Sequence, residues 1–191
     1  MSNIILASSS PRRKDLLSKL NIDFQTVPAQ CEEKMEPGEE PLRMARRLSK
    51  EKAGSLVSRY PRHIIMGADT FVTLGKEVLG KPHTKKKAKE MLDSISGRTL
   101  RVITGFTIWD SERDKVTSKT VQTKVIFKKL TSSEIKKYIA TGEPLDKAGA
   151  FAIQGMGGVF IKRLQGSHTN VVGLPLYEVA EELKKYGVRV L

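Results

Sequence analysis

The sequence predicts an α/β fold, a mixed twisted sheet with flanking helices, and two features of the chain carry this prediction. At the N-terminus, residues 3–7 form a short, β-branched apolar run typical of a buried strand, and a Ser-Pro pair then begins a helix over residues 11–20. Residues 99–109 and 115–127 are long alternating runs joined by a polar turn, which predicts an antiparallel ribbon. With 191 residues the chain can bury a real core, and we expect residues 1–191 to form a single domain.

The composition limits the classes of protein to which the chain can belong. A single cysteine, Cys31, excludes an internal disulfide framework and a zinc cluster of several thiolates. No apolar run is long enough to cross a bilayer and no secretory signal is apparent, so we expect a cytoplasmic protein without a membrane partner. The net charge of +13 attracts polyanions, including nucleic acid and polyphosphate substrates, but aromatic residues make up only 6% of the chain. We therefore expect neither base-stacking platforms nor a nucleic-acid partner.

The loop at residues 7–13 has the composition of a phosphate site. Ser10 supplies an N-cap oxygen for the helix that follows, and Pro11 at the first helical position loses no hydrogen bond. Arg12 and Arg13 then place cations in the first turn, where each opposes the helix dipole at a cost of ~0.3–1 kcal/mol if exposed. A bound anion would make the two cations favourable, because free N–H groups, serine hydroxyls and guanidinium groups all donate hydrogen bonds to phosphate. The alternative is that both arginines are simply solvated on a basic surface.

Periodicity and turn residues predict the remaining elements. In the helix predicted over residues 41–57, Lys52 lies on the apolar side, where its stem could extend outward to solvent. Asp69 is predicted at the carboxyl end of a central strand, residues 62–70, and open α/β sheets bind ligands beyond that edge. The other predicted elements are a strand at 23–27, a hairpin at 71–74 and 77–79, helices at 84–92 and 131–138, a strand at 159–164 and a helix at 175–185.

Four charged residues are candidates for chemistry because of their predicted loop, strand-end or apolar-face settings: Glu33, Lys52, Asp69 and Lys81. Carboxylates beside a cationic phosphate cradle suit a Mg²⁺-type ion, which prefers one or two carboxylates, waters and the substrate's own oxygens. An aspartate near that ion could orient or deprotonate a water for attack on phosphorus, while cations offset charge on the transferring and leaving groups. Taken singly, each acidic residue is better explained as a surface carboxylate.

Five sequence blocks follow one another along nearly the whole chain: Leu6-Ala7-Ser8-Ser9-Ser10-Pro11-Arg12-Arg13, Gly67-Ala68-Asp69-Thr70, Gly80-Lys81-Pro82, Glu143-Pro144-Leu145-Asp146-Lys147-Ala148-Gly149-Ala150 and Val171-Val172-Gly173-Leu174-Pro175-Leu176. In this order, the five blocks resemble the Maf family. The resemblance implies a Maf/ITPase-like fold with two lobes around a central cleft, and pyrophosphatase activity on nucleoside triphosphates. Such enzymes cleave between the α and β phosphates, giving a monophosphate and pyrophosphate, with a divalent metal cation such as Mg²⁺ or Mn²⁺.

The resemblance also implies roles for individual residues. Asp69 is expected to be the proton acceptor for the attacking water and to contact the metal, with Glu33 as the second acidic residue at that ion. Lys52 and Lys81 are expected in the same catalytic set. The phosphate binders implied at the start of the first helix are Ser8, Arg12 and Arg13.

Three positions, one of them the phosphate binder Arg12, are expected to set substrate specificity: Arg12, Thr70 and Gln154. The string Ala152-Ile153-Gln154-Gly155 resembles the branch that acts on dTTP and UTP, whereas the branch acting on 7-methylguanosine triphosphate carries Ser-Glu-Gly there. A carboxamide can pair with the carbonyl and imide edge of a pyrimidine. The chain departs from the family pattern outside the catalytic set, with Leu100 in place of a histidine and with Phe151 and His168 in place of tyrosines.

We therefore predict a cytoplasmic, metal-dependent pyrophosphatase whose substrates are dTTP and UTP, or modified pyrimidine nucleotides. Two alternatives stay open. One is a non-catalytic regulator, acting in cell division, that binds nucleotides or nucleic acid through its basic surface. The other is a pyrophosphatase for purine triphosphates such as ITP. The sequence leaves open the metal, the cellular role and the oligomeric state, a homodimer included.

Overall fold

The predicted α/β fold is confirmed by the computed structural model, which describes residues 3–32, 34, 36 and 38–190. Seven strands within these residues form one mixed sheet with flanking helices. The strands are β1 (Ile4–Ala7), β2 (Gln25–Val27), β3 (Ile64–Leu74), β4 (Glu77–Leu79), β5 (Thr99–Asp110), β6 (Lys115–Phe127) and β7 (Ile161–Gln165). The α-helices are α1 (Pro11–Ser18), α2 (Pro41–Gly54), α3 (Lys85–Ile95), α4 (Ser132–Ala140), α5 (His168–Val172) and α6 (Leu176–Lys184). The 3₁₀ helices are η1 (Glu143–Asp146), η2 (Ala148–Ala150) and η3 (Met156–Phe160).

The sheet combines parallel and antiparallel pairs. Its strand order is β2-β1-β3-β5-β6-β7, with β4 paired to β3. Strand β1 is parallel to both β2 and β3, while β3–β4 and β6–β7 are antiparallel. In the β1–β3 ladder the last paired residues are Ala7 and Gly67. Ser8 and Asp69 therefore both follow the carboxyl end of this parallel pairing, which is the edge at which α/β sheets bind ligands.

The chain divides into two compact units, each with its own apolar core. The first unit comprises Met1–Thr70, Thr104–Val121 and Val172–Leu191, and the second comprises Phe71–Ile103 and Gln122–Val171. That the chain forms a single domain remains a prediction. Buried members of a first-unit cluster are Ile5, Ala7, Ala53, Leu56 and Ile65. The second unit buries a larger cluster that includes Leu92, Leu100, Val102, Phe127, Phe151 and Phe160.

Three helices begin at residues whose side chains cap the helix N-terminus. The Ser10 hydroxyl accepts a hydrogen bond from the N–H of Arg13, and Thr84 caps α3 in the same way. Thr131 and Glu134 form a capping box at the start of α4, in which each side chain accepts the other residue's backbone N–H. Capping residues mark helix starts well because their side chains accept hydrogen bonds from N–H groups that the helix itself leaves unpaired.

The central strand is longer than predicted. It does not end after Asp69, because β3 continues to Leu74 and includes the first strand of the predicted hairpin. The strand changes partner on the way: its pairing with β1 ends at Gly67, and its pairing with β4 begins at Val72. The prediction that Asp69 ends a strand is therefore wrong. Asp69 lies inside β3, just beyond the part that is parallel to β1.

The region after Gly155 also differs from the prediction. The strand predicted at 159–164 is present as β7 but begins two residues later, at Ile161, because the 3₁₀ helix η3, with a hydrogen bond from the Gly158 N–H to the Gly155 oxygen, precedes it. Helix α5 was not predicted, since five residues are too few for a helical period to be recognised. In the described part of the chain, no helix has the length and apolar character that crossing a membrane requires.

Candidate active site

A buried ion pair joins α2 to β3. The ammonium of Lys52 lies 3.2 Å from Oδ1 of Asp69, and each residue is only 7% exposed. The same Oδ1 accepts a hydrogen bond from the N–H of Thr70 at 2.9 Å. The other oxygen, Oδ2, is buried and has no hydrogen-bond partner among the described residues. A buried carboxylate oxygen without a partner is costly, so this atom is suited to an incoming water or cation.

A close contact between α2 and the sheet brings these two side chains together. A Cβ atom on Gly67 would lie 2.2 Å from the backbone oxygen of Ser49 and 2.7 Å from the nitrogen of Ala53, so only glycine fits. Gly105 on β5 touches α2 equally closely, since its Cβ would lie 2.0 Å from the oxygen of Ala45. Gly67 and Asp69 are two residues apart on one strand and therefore point to the same face. The contact at Gly67 thus places Lys52 directly over Asp69.

Arg13 is held by uncharged oxygens from three segments of the first unit. Its Nε donates to the backbone oxygen of Gly173 at 2.9 Å, and its Nη2 donates to Oγ1 of Thr70 at 3.1 Å. Its Nη1 donates to Oγ of Ser8 at 3.4 Å. The Thr70 hydroxyl is in turn 3.0 Å from that of Thr104. The guanidinium therefore fixes the β1–α1 loop, β3 and the Gly173 loop relative to one another.

Arg12, the next residue, is placed quite differently. It is exposed, and it donates no hydrogen bond and forms no ion pair with any described residue. It lies in the first turn of α1, whose N-terminus has no acidic side chain. A cation in that position remains unfavourable unless an anion is present. Of the two arginines, Arg12 is therefore the one whose guanidinium is available to bind a phosphate.

Lys81 belongs to the second unit and lies in an anchored loop. On one side of it, the oxygen of Gly80 accepts the N–H of Gly149 at 3.2 Å. On the other side, the N–H of His83 donates to the oxygen of Leu145 at 2.9 Å. Lys81 itself is exposed. Its loop is thus fixed against η1 and η2 while its side chain faces solvent.

Gln154, also in the second unit, lies at the corner of a tight turn. The N–H of Gly155 donates to the oxygen of Ala152 at 3.3 Å, which makes Gln154 the third residue of a four-residue turn. Gln154 is exposed. Its carboxamide is therefore available to a ligand.

The predicted metal ligands are only partly described. Glu33 lies outside the described residues. Within the described residues, no group of three or more His, Cys, Asp or Glu side chains could hold a metal ion. Asp69 Oδ2 nevertheless fits Mg²⁺ or Mn²⁺, because such ions are often held by one or two carboxylates, with water and substrate phosphates completing the shell.

Several residues that build this site were not predicted. Gly67, Thr104 and the backbone oxygen of Gly173 all position the predicted side chains. Gly67 and Gly173 lie in two of the blocks that carry the family resemblance, which was a usable signal. Thr104 gave none, because a threonine in an alternating β run is explained by strand propensity alone.

A family model for Maf-like proteins matches residues 3–186. The chain belongs to the Maf-like family. Relatives named dTTP/UTP pyrophosphatase support the match, and three of them show its extent. The protein from Citrifermentans bemidjiense is 47% identical over 97% of this chain and 96% of its own length. The protein from Geobacter sulfurreducens is 46% identical over 96% of both chains, and that from Pelotomaculum thermopropionicum is 44% identical over 100% of both.

Membership in the Maf-like family confirms the family resemblance seen in the sequence. The match spans both compact units, since residues 3–186 run through all of their segments. The roles assigned to individual site residues remain predictions.

Proposed function

We propose that this Maf-like protein is a nucleoside triphosphate pyrophosphatase that hydrolyses dTTP and UTP to the monophosphate and pyrophosphate. Relatives that carry this name are 42–47% identical to the chain and are covered over nearly their full length. Identity at this level over both units favours a common reaction. The site within the first unit supplies groups that this reaction needs.

The observation that carries the proposal is the asymmetric environment of the Asp69 carboxylate. Oδ1 is fixed by Lys52 and by the N–H of Thr70, while Oδ2 is buried without a hydrogen-bond partner among the described residues. A carboxylate held by one oxygen can accept a proton at the other without moving. A purely structural carboxylate would be expected to have both oxygens satisfied.

In the proposed reaction, a water oxygen attacks the α-phosphorus and the bond from that phosphorus to the α–β bridging oxygen breaks. Asp69 accepts the proton of the water, and the electron pair of the broken bond leaves on pyrophosphate. Arg12, exposed in the first turn of α1, binds a phosphate oxygen and offsets its charge. Lys81 and Gln154 keep the roles implied by the resemblance, which are charge compensation and base recognition. The rest of the expected set consists of Ser8, Glu33, Lys52, Arg13 and Thr70.

A divalent cation is part of this proposal. Asp69 would contribute to holding it through Oδ2, with Glu33 as the expected second carboxylate. Bound there, the cation would polarise the phosphate oxygens as a Lewis acid. The same proposal includes a cytoplasmic location, where nucleoside triphosphates are found.

A panel of nucleoside triphosphates assayed for pyrophosphate release with Mg²⁺ or Mn²⁺ tests the function. We expect turnover that is fastest with dTTP and UTP, with no release of single phosphate in the absence of an added inorganic pyrophosphatase. Reaction in ¹⁸O-water adds a direct test of the bond broken: attack on the α-phosphorus puts the label in the monophosphate and none in pyrophosphate.

The same panel distinguishes the alternatives. Preference for ITP would replace the pyrimidine assignment by a purine one. Absence of turnover with every triphosphate, together with strongly salt-dependent DNA binding, would favour a non-catalytic regulator. Release of label in single phosphate would reject the proposed bond cleavage.

A further inference from the structure

A carboxylate and a phenol in the second unit hold both ends of the turn that presents Gln154. Oε1 of Glu143 accepts hydrogen bonds from the hydroxyl of Tyr138 at 2.7 Å and from the N–H of Gly157 at 3.0 Å. Oε2 of Glu143 accepts the N–H of Met156 at 3.0 Å. The Tyr138 hydroxyl also accepts the N–H of Ala152 at 3.3 Å. Ala152 precedes Gln154 by two residues, and Met156 follows it by two.

Gly155 and Gly157 lie where the backbone of the turn comes closest to Glu143 and Tyr138. A Cβ atom on Gly155 would lie 2.3 Å from Oε2 of Glu143. A Cβ atom on Gly157 would lie 2.5 Å from the Tyr138 hydroxyl oxygen. Glycine at both positions lets the backbone approach the carboxylate and the phenol directly. The contact with Glu143 and Tyr138 therefore explains why glycine occupies both positions.

The two side chains are themselves rigid. The ring of Tyr138 packs edge-to-face on Phe160, with ring centroids 5.1 Å apart, and Tyr138 is only 4% exposed. Burial alone would raise the pKa of Glu143, but hydrogen bonds from Gly157, Tyr138 and Met156 outweigh it and hold the pKa below its usual value. Glu143 is therefore an ionised acceptor for three donors, on a support that cannot easily move.

We propose that Glu143 and Tyr138 are positioning residues for base recognition: they fix the 152–157 turn so that the exposed Gln154 carboxamide meets the nucleobase in one orientation. This inference rests on the proposed function of the chain and on the specificity role of Gln154 within it. Neither positioning residue touches the substrate. Their effect reaches it through the backbone of the turn, since misplacing a substrate-contacting group by about 1 Å can cost about a hundredfold in rate.

Three variants loosen the turn in different ways. In Glu143→Gln the amide has one acceptor oxygen, so a backbone N–H of the turn must face an NH₂ group. Tyr138→Phe removes the acceptor for the Ala152 N–H and keeps the ring. Gly155→Ala leaves both side chains in place and pushes the carboxylate away from the turn. The control is Glu134→Gln, which removes the capping-box carboxylate of α4 in the same unit; that carboxylate accepts hydrogen bonds from Lys128 and Thr131, which lie outside the turn.

The measurement is the ratio of kcat/KM for dTTP to that for dGTP, with thermal unfolding recorded for each variant. We expect the ratio to fall by about tenfold or more in the three variants, mainly through a higher KM for dTTP. Glu134→Gln should lose stability and keep the wild-type ratio. Amide exchange in a peptide covering residues 152–157 should accelerate in the three variants and not in the control.

The outcomes separate this inference from the function on which it rests. If the wild-type protein is active and selective, and every folded variant keeps its ratio, the positioning role is wrong and the function stands. If the wild-type protein releases no pyrophosphate from any triphosphate, the function and the recognition role fail together. A ratio that falls in Glu134→Gln as much as in the three variants would show a general stability effect and would also overturn the inference.

Discussion

Lys52 Nζ lies 3.2 Å from Asp69 Oδ1, and the contact is made where α2 touches β3 through Gly67. Both groups are removed from water, so each needs the other: a buried charge without a partner is far more costly than an exposed one. The pair leaves Oδ2 of Asp69 without a hydrogen-bond partner among the described residues. Stability and the proposed chemistry therefore depend on the same two side chains, and variants can separate the two contributions.

The Asp69→Asn variant should lose pyrophosphate release by about 10²–10⁴-fold, because an amide cannot accept the proton of the attacking water. Its fold should persist at lower stability, since the amide oxygen still accepts the N–H of Thr70 but no longer offers a charge to the buried ammonium of Lys52. The control is Asp110→Asn, which changes another buried aspartate of the first unit that caps N–H groups at the β5–β6 turn. Steady-state kinetics and circular dichroism check both variants. Wild-type turnover in Asp69→Asn would remove Asp69 from the mechanism.

Lys52→Met should lower the free energy of unfolding by about 3 kcal/mol, because it leaves Asp69 buried beside an apolar side chain. Adding Asp69→Asn should recover much of that loss, since no unpaired charge then remains, while activity stays absent. Urea unfolding of the two single variants and the double variant measures the coupling.

Lys50→Met provides the control for this pair. Lys50 is exposed on the same helix, and its replacement should change the unfolding free energy by no more than about 0.5 kcal/mol. Additive losses in the double variant would mean that Lys52 and Asp69 do not stabilise each other.

Substitutions of Arg12 and of Arg13 should have different effects although the two residues are neighbours in the sequence. Arg12→Ala should raise KM by about tenfold with little change in melting temperature, because Arg12 forms no hydrogen bond or ion pair with any described residue and a charged hydrogen bond to phosphate is lost. Arg13→Lys should lower both melting temperature and kcat, since one ammonium cannot span the acceptors on Ser8, Thr70 and Gly173. Equal effects of the two changes on KM alone would contradict the structural role of Arg13.

Local signals in the sequence predicted much of the fold and part of the site. Ser10, Thr84 and Thr131 marked helix starts because a cap depends on a few neighbouring residues. The pairing of Lys52 with Asp69 could not be predicted from periodicity, since it depends on the close approach of α2 to Gly67. On pattern alone, Lys52 was equally consistent with a solvated side chain.

Long-range backbone contacts account for the rest of what the sequence did not predict. The extent of β3 depends on its exchange of partner from β1 to β4, and no residue near Asp69 marks that change. The hydrogen bonds from the Gln154 turn to Glu143 join two segments whose glycines, taken alone, indicated only turns. Both features arise from tertiary contacts rather than from local preference.

The stability of the protein in acid should depend on Glu134. Hydrogen bonds from Lys128 and from the N–H of Thr131 lower its pKa from the ordinary value of 4.5 to about 2. Between these two values the unfolded chain binds more protons than the folded one, so the stabilisation is complete above pH 4.5 and is lost as the pH falls towards 2. Glu134→Gln should therefore melt below the wild-type protein at neutral pH and approach it as the pH falls. Melting temperatures measured from neutral pH into this acid range check the convergence; a constant difference between the two proteins would show that the Glu134 carboxylate is not the titrating group.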